Sequence, residues 1–224
     1  MKSVLFIHRS VGHNLIHDGN VYNLIADSGK DFAFSDYDHN VDTLTNNKGE
    51  QHKLGFVFPG GNTTPADYAE VFSGDVHDSF KPIQNMALSY DVIAIKSCYP
   101  NSNIQSDELL EAIKQYYKSI AQFFVERPDK QLVIITSPPL TPLMTKASAA
   151  QRARLLANWL MEADFGENVS VFNFFDLLAA PSGKRHSNRL RKDYRRWLPV
   201  NSHPNAKASQ SIAPLFVEHL VNLS

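Results

Sequence analysis

The chain has 224 residues, of which 43% are hydrophobic and 20% charged, a balance typical of one well-buried globular domain. We therefore predict a single domain over residues 1–224. A formal net charge of −1 gives no overall attraction to nucleic acid or to anionic membranes, and no stretch approaches the roughly 20 apolar residues of a membrane span. Cys98 is the one cysteine, which excludes an intramolecular disulfide and a multi-cysteine metal site.

Five short runs rich in Val, Ile and Phe are predicted to be strands. Continuous apolar runs of this length are typical of strands that are buried on both faces of a parallel sheet. The runs are "SVLFI" (3–7), "LGFVF" (54–58), "DVIAIKS" (91–97), "QLVIITS" (131–137) and "NVSVFNF" (168–174). The polar region 27–53 is predicted to hold an edge strand near "DFAFS" and a long loop.

Three longer segments between and after these runs have helical spacing. Residues 106–126 begin with a Ser N-cap and acidic residues, and residues 146–164 and 205–223 repeat apolar positions in the same way. Pro214 predicts a kink in the last of them or a late start. Alternating strands and helices indicate an α/β domain with a parallel sheet.

The first eight residues, "MKSVLFIH", lack the long apolar stretch and the cleavage site of a signal peptide. We therefore expect a cytoplasmic location, or export if a leader has been removed.

Polar residues follow the predicted strands, where parallel sheets bind their ligands. Ser10 lies in "HRSVG", at the turn from the first strand into a helix, where the free N–H groups of a helix N-terminus favour developing negative charge. The segment "PGGNTTP" (59–65) follows the second run, and its glycines allow a backbone N–H to approach an oxyanion. His203, in "NSHPNAKAS" (201–209), precedes the last helix and is a candidate general base.

These three segments together resemble the SGNH (GDSL-type) hydrolase superfamily, over nearly the whole chain. The resemblance implies a three-layer α/β/α sandwich with a flavodoxin-like parallel sheet of about five strands, and ester hydrolysis through an acyl-serine. It also implies that Ser10 is the nucleophile and His203 the base, with oxyanion donors from Ser10, Gly61 and an asparagine. Asn101 is the preferred asparagine and Asn103 the second candidate.

The chain departs from the family pattern at several positions. His8 and Arg9 stand where the family has Gly-Asp before the serine, and Val200 occupies the position of the triad acid. A backbone carbonyl or Asp176 is therefore expected to orient His203, and placing Asp at position 200 is expected to speed hydrolysis. The predicted substrate-binding residues are His8, Arg9, Asn62, Lys96, Tyr99 and Asn201.

Two alternatives to a serine esterase stay open. His8, Arg9, Lys96, Tyr99 and His203 together also suit β-elimination from a uronate sugar, which needs a group to neutralise the carboxylate and a base to remove the α-proton. The other alternative is a catalytically inactive binding domain of the same fold.

The segment "KRHSNRLRKDYRR" (184–196) holds seven of the 22 Lys and Arg residues and a single acid, and it ends a few residues before His203. It favours a small-molecule or carbohydrate substrate, in particular an anionic one, over nucleic acid or membrane. His13 and His17 are predicted to share a helix face, but nothing identifies further zinc ligands, so we expect no metal and no cofactor.

Overall fold

The computed structural model describes residues 2–30, 32–56 and 58–223. Strands and helices are numbered separately in chain order. The strands are β1 (Lys2–His8), β2 (Phe32–Asp38), β3 (Thr43–Asn46), β4 (Gln51–Lys53), β5 (Val92–Lys96), β6 (Gln131–Ile135) and β7 (Val169–Phe172). The helices are α1 (Val11–His17), α2 (Val21–Asp27), α3 (Pro65–Val71), α4 (Lys81–Leu88), α5 (Asp107–Val125), α6 (Ala147–Glu162), α7 (Phe174–Leu178) and α8 (Ala206–Val221).

Within the described ranges one sheet of seven strands runs in the order β4-β3-β2-β1-β5-β6-β7. The five strands β2, β1, β5, β6 and β7 are parallel, and their order along the sheet is the 2-1-3-4-5 order of flavodoxin-like doubly wound sheets. The hairpin of β3 and β4 extends the β2 edge in antiparallel fashion. The predicted parallel sheet of about five strands is therefore confirmed, with two antiparallel strands added.

Helices cover both faces of the sheet and make two separate hydrophobic cores. One core places α3, α4, α5 and α6 against side chains such as Leu5, Ile93 and Ile134. The other packs α1, α2, α7 and α8 against Phe6, Ala94 and Val133 on the opposite face. The predicted three-layer α/β/α arrangement is confirmed. No helix among the described residues is long and apolar enough to cross a membrane.

The second parallel strand lies elsewhere in the chain than predicted. The run 54–58 forms no strand at its described positions; Phe58 is buried and Leu54 and Phe56 pack against the core from an irregular segment. The parallel strand is instead β2, which the sequence marked only as an edge. Asp36 and Asp38 made this segment look like a loop in the sequence. In the structure both carboxylates are buried beside histidines.

The three long helices occur where helical spacing predicts them. Ser106 caps α5, its hydroxyl accepting a hydrogen bond from the Leu109 amide. Helix α8 begins at Ala206, capped by Asn205, and continues past Pro214 to Val221. The alternative of a late start at Pro214 is therefore wrong.

Gly12, in the first turn of α1, is required by the close approach of that helix to β1. A Cβ on Gly12 would overlap Cβ and Cγ of His8, which is fully buried. We therefore expect Gly12→Ala to lower the free energy of unfolding by about 1–3 kcal/mol, despite the better helix propensity of Ala. Denaturant unfolding measures this, with Gly74→Ala as the control, because a Cβ on Gly74 meets nothing within 4 Å. Equal stability of the two variants would contradict the packing argument.

Candidate active site

Ser10 lies at the carboxyl edge of the sheet, between the end of β1 and the start of α1. It is the N-cap residue of α1 and has φ 55° and ψ −92°, a backbone conformation that L side chains rarely adopt. A strained serine on a sharp turn from a strand into a helix is the arrangement of a nucleophile elbow. The turn directs the hydroxyl to the edge where ligands bind in parallel sheets.

The structure brings Ser10 and His203 together across 193 positions of sequence. Ser10 Oγ is in hydrogen-bond contact with Nε2 of His203. The other ring nitrogen, Nδ1, lies 2.8 Å from Oδ1 of Asn201. The three side chains form a Ser–His–Asn relay.

The hydrogen bonds of Asn201 fix the tautomer of His203. Asn201 Oδ1 also accepts a hydrogen bond from the backbone N–H of His203, at 2.9 Å. Of the two polar atoms in the Asn201 side chain only the oxygen is an acceptor, so the atom that faces His203 is the oxygen. The same oxygen faces Nδ1, so Nδ1 carries the proton and Nε2 presents its lone pair to Ser10. This is the tautomer that a general base for a serine nucleophile requires.

The surroundings of His203 favour its neutral form. Burial lowers its pKa below the usual 6.5, and the positive charges of Arg196 and Lys96 lower the pKa further. A neutral imidazole accepts a proton from the serine, whereas a protonated one cannot.

The side chain of Asn201 lies beside Nδ1 of His203, where the family pattern has the triad acid. The backbone-carbonyl and Asp176 alternatives are wrong for this structure, because Nδ1 faces the Asn201 side chain and Asp176 pairs with Arg154. Val200 has its side chain half exposed. The signal that could have found Asn201 is its spacing: Asn two residues before the base is typical of an Asx turn.

The loop that carries Asn201 and His203 is held at both ends and in the middle. Arg195 and Pro204 pair across its base as an isolated bridge. Ser202 is fully buried and its hydroxyl accepts the Thr141 amide at 3.0 Å, which ties the loop to the segment after β6. The Tyr99 ring packs edge-on against His203, with ring centroids 5.1 Å apart. The relay is therefore preorganised.

A cleft of about 350 Å³ opens beside the relay. It is lined by Ser10, His13, Asn14, Asn40, Arg196, Asn201 and His203. All seven lining side chains are polar, and the sequence analysis did not single out Asn14 or Asn40. A larger cavity of about 780 Å³ lies near α3 and α5 and contains none of the predicted site residues.

A chain of hydrogen bonds forms the rim of the cleft. His13 Nδ1 lies 2.9 Å from Asp38, whose other oxygen accepts from the Asn40 backbone and side-chain amides. Asn40 Oδ1 accepts from Arg9 Nε at 2.8 Å, and Arg9 also donates to Asn62 Oδ1 at 3.3 Å. The side-chain oxygens of Asn40 and Asn62 thus both face Arg9. This orientation turns the NH₂ group of Asn62 away from Arg9, where it can donate to a ligand.

Of the predicted oxyanion donors, Gly61 lies on the side of the cleft, whereas Asn101 and Asn103 make hydrogen bonds elsewhere in the protein. Gly61 lies beside Arg9, with room for a Cβ 3.9 Å from the guanidinium. Asn101 donates its side-chain NH₂ to the carbonyls of Cys98 and Asn62, at 3.1 and 3.3 Å. The Asn101 prediction is corrected accordingly, because one bond of its NH₂ group holds the 59–65 loop and the other closes the turn that begins at Cys98. Asn103 accepts from Thr145 in the neighbouring loop.

His8 and Lys96 lie beneath the site and do not line it. Both are fully buried; His8 Nε2 is 2.8 Å from Asp36, and Lys96 Nζ donates to the Ser97 carbonyl at 3.1 Å. Burial lowers the pKa of Lys96 to about 8. The prediction that these two side chains contact substrate is wrong, since neither reaches the surface; Arg9 and Tyr99 remain near the open side.

His13 and His17 lie together on one face of α1, as predicted, with ring centroids 4.1 Å apart and ring planes tilted by 42°. Across the described parts of the chain no three His, Cys, Asp or Glu side chains are grouped so that they could hold a metal ion.

No family model matches the chain, and no curated protein matches its sequence. Solved structures do match its fold. A proposed acylhydrolase from Bacteroides fragilis aligns with TM-score 0.54 at 13% identity, covering 99% of this chain and 87% of that one. A GDSL-like lipase from Bacteroides thetaiotaomicron aligns with TM-score 0.55 at 12% identity, covering 99% and 88%. The chain therefore shares the α/β/α fold of these two proteins, and the fold that the SGNH (GDSL-type) resemblance implies is confirmed.

Proposed function

We propose that the chain is a serine ester hydrolase that removes a short acyl group from a carbohydrate or another anionic alcohol. The observation that carries this proposal is the relay of Ser10, His203 and Asn201, in which hydrogen bonds set the tautomer of the base. The acylhydrolase and lipase that share the fold support hydrolase chemistry.

The proposed reaction runs in two halves. Ser10 Oγ attacks the ester carbonyl carbon while His203 Nε2 takes the hydroxyl proton, which then passes to the leaving alcohol. The acyl-serine is next hydrolysed by water, whose proton His203 takes in turn and returns to Ser10. The backbone N–H groups of Ser10 and Gly61, with the NH₂ of Asn62, stabilise the oxyanion in both halves.

The charge beside the cleft supports an anionic substrate. Arg9 hydrogen-bonds two neutral amides, and the carboxylate nearest Arg196, Asp18 Oδ2, is 3.8 Å from its guanidinium. Both positive charges are thus weakly compensated, and a guanidinium matches the geometry of a carboxylate.

The β-elimination alternative loses support. It relied on His8 and Lys96 to contact a uronate, and both are buried under the site. The inactive-domain alternative is opposed by the intact relay.

A series of p-nitrophenyl esters tests this proposal. We expect acetate to be hydrolysed at least about tenfold faster, by kcat/KM, than octanoate, because the cleft is small and no Leu, Ile, Val, Met or aromatic hydrocarbon side chain among the described residues lines it to hold a long chain. A preference for octanoate would overturn the short-acyl substrate. No hydrolysis of any ester, together with release of unsaturated uronate from pectic substrates, would restore the lyase.

A further inference from the structure

The loop that carries the catalytic base has an apolar tip. Residues 197–200 read Trp-Leu-Pro-Val, and the exposed fractions of Trp197, Leu198 and Val200 are 93%, 45% and 51%. Exposing an indole in water is unfavourable, and such exposed aromatics mark binding sites. The loop does not need the tip in order to fold, because the Arg195–Pro204 bridge and buried Ser202 already hold it.

Trp197 lies in the sequence between two residues that line the cleft. Arg196 precedes it, and Asn201 follows four positions later; both line the cleft beside Ser10. Consecutive Cα atoms are about 3.8 Å apart, so the backbone of Trp197 lies one residue from the wall of the cleft. We expect a ligand that extends from the cleft past Arg196 to reach the indole.

The segment that leads into this loop is rich in basic residues, with seven Lys and Arg residues and one acid over 184–196. Desolvation and the guanidiniums of Arg185, Arg195 and Arg189 lower the pKa of His186. Burial and the nearby Arg189 lower the pKa of Arg195 at the base of the loop. Neighbouring cations that lower one another's pKa create a field that attracts anions.

The lining of the cleft decides what kind of anion fits. Amide side chains from Asn14, Asn40 and Asn201 line the cleft, and an NH₂ group or carbonyl oxygen that already makes one hydrogen bond keeps a second N–H or lone pair for a hydroxyl group. In the part of the chain that the structure describes, no aliphatic side chain lines the cleft to hold a lipid chain. A sugar ring presents hydroxyls at its edge and C–H groups on its face, and the face packs well on an aromatic ring. An acidic sugar adds the carboxylate that the arginines favour.

We propose that Trp197 is a substrate-binding platform on which a pyranose ring of an acylated acidic oligosaccharide stacks, with Arg196 pairing the sugar carboxylate. The inference deepens the proposed function and rests on it for the position of the ester at Ser10. Trp197 binds the sugar beyond the acylated unit and takes no part in the bond changes.

The binding test uses Trp197 as its own reporter. The double variant Ser10→Ala/Trp159→Phe leaves Trp197 as the one tryptophan and prevents turnover. We expect acetylated oligogalacturonides to quench and shift its emission, and neutral acetylated xylo-oligosaccharides to do so at least about tenfold more weakly. A response to anionic phosphatidylglycerol vesicles and not to oligosaccharides would overturn the proposal and assign the tip to a lipid surface, as would no response to either. Because this protein is inactive by design, the result stands whether or not the native chain hydrolyses esters.

The kinetic test compares a large with a small substrate. Trp197→Ala is expected to raise KM for the acetylated oligogalacturonide about tenfold with little change in kcat, and to lower the ratio of its kcat/KM to that of p-nitrophenyl acetate accordingly. Trp197→Phe should restore most of the ratio, and Leu155→Ala, an exposed apolar residue on α6, should leave it unchanged. Equal losses on both substrates would show that Trp197 only supports the loop, and would overturn the platform.

Discussion

Ser10→Ala is expected to lower kcat/KM for p-nitrophenyl acetate by at least about 10³-fold. The variant keeps the oxyanion donors and His203 but loses the atom that forms the acyl bond, and removing the nucleophile from a serine relay has effects of this size or larger. The assay is ester hydrolysis at pH 8, where His203 is neutral.

The control for this variant is Ser211→Ala, which removes a hydroxyl from the exposed side of α8. It should keep full activity. Ser10→Gly provides a second inactive variant, because glycine adopts φ 55° without strain, so it should be at least as stable as the native chain. Retention of hydrolysis by folded Ser10→Ala or Ser10→Gly would rule out Ser10 as the nucleophile.

Asn201→Ala is expected to lower kcat by about 10²–10⁴-fold. Without Oδ1 the Nδ1–H loses its acceptor, so neither the tautomer nor the ring orientation of His203 is fixed, and the loss of correct tautomer in other serine relays falls in this range. The pH profile of kcat separates this effect from misfolding, provided that the unfolding transition is unchanged.

Asn201→Asp tests whether a negative charge beside Nδ1 of His203 raises the pKa of the base and the rate. In the native chain burial and two cations keep the pKa of His203 below 6.5, so the activity should rise with pH to a plateau already reached near neutrality. A carboxylate at position 201 stabilises the imidazolium, which raises the pKa of His203 and shifts the acid limb of the pH profile to higher pH. The rate on the plateau should rise by up to about tenfold.

Val200→Asp is the matched control, since it adds the same charge one residue away on a half-exposed side chain. The family pattern predicts that this variant is faster, whereas the observed contacts predict little change. A larger gain from Val200→Asp than from Asn201→Asp would show that Asn201 does not orient the base.

Much of the fold was predictable because strands buried on both faces are continuous apolar runs. That pattern identified β1, β5, β6 and β7, and helical spacing identified α5, α6 and α8. For β2 it predicted only an edge strand near "DFAFS", because the buried Asp36 and Asp38 look like loop residues until His8 and His13 are known to pair with them. The same pattern predicted a strand at 54–58 where there is none at the described positions, because a loop that packs on a core is also apolar.

The candidate site was predictable where position in the fold decides it. Ser10 follows the first strand and His203 precedes the last helix, so a parallel sheet brings both to one edge. The contact of Asn201 with the base was not predicted: the family pattern has a carboxylate in that role, Asn201 is neutral, and it was predicted to bind substrate. The burial of polar side chains at strand ends was also not predictable. In the sequence His8 and Lys96 look as suited to a surface site as Arg9 does, but both are buried, and Gly12 allows α1 to pack directly on His8.

Labelling with a fluorophosphonate, followed by peptide mapping, tests the central claim most directly. The reagent forms a stable bond to a serine only where a base activates the hydroxyl and donors hold the oxyanion. The relay predicts one label per chain, on Ser10, with the loss of label in Asn201→Ala and its retention in Val200→Asp. A folded protein that takes up no label, or a label that maps to another serine, would contradict the account.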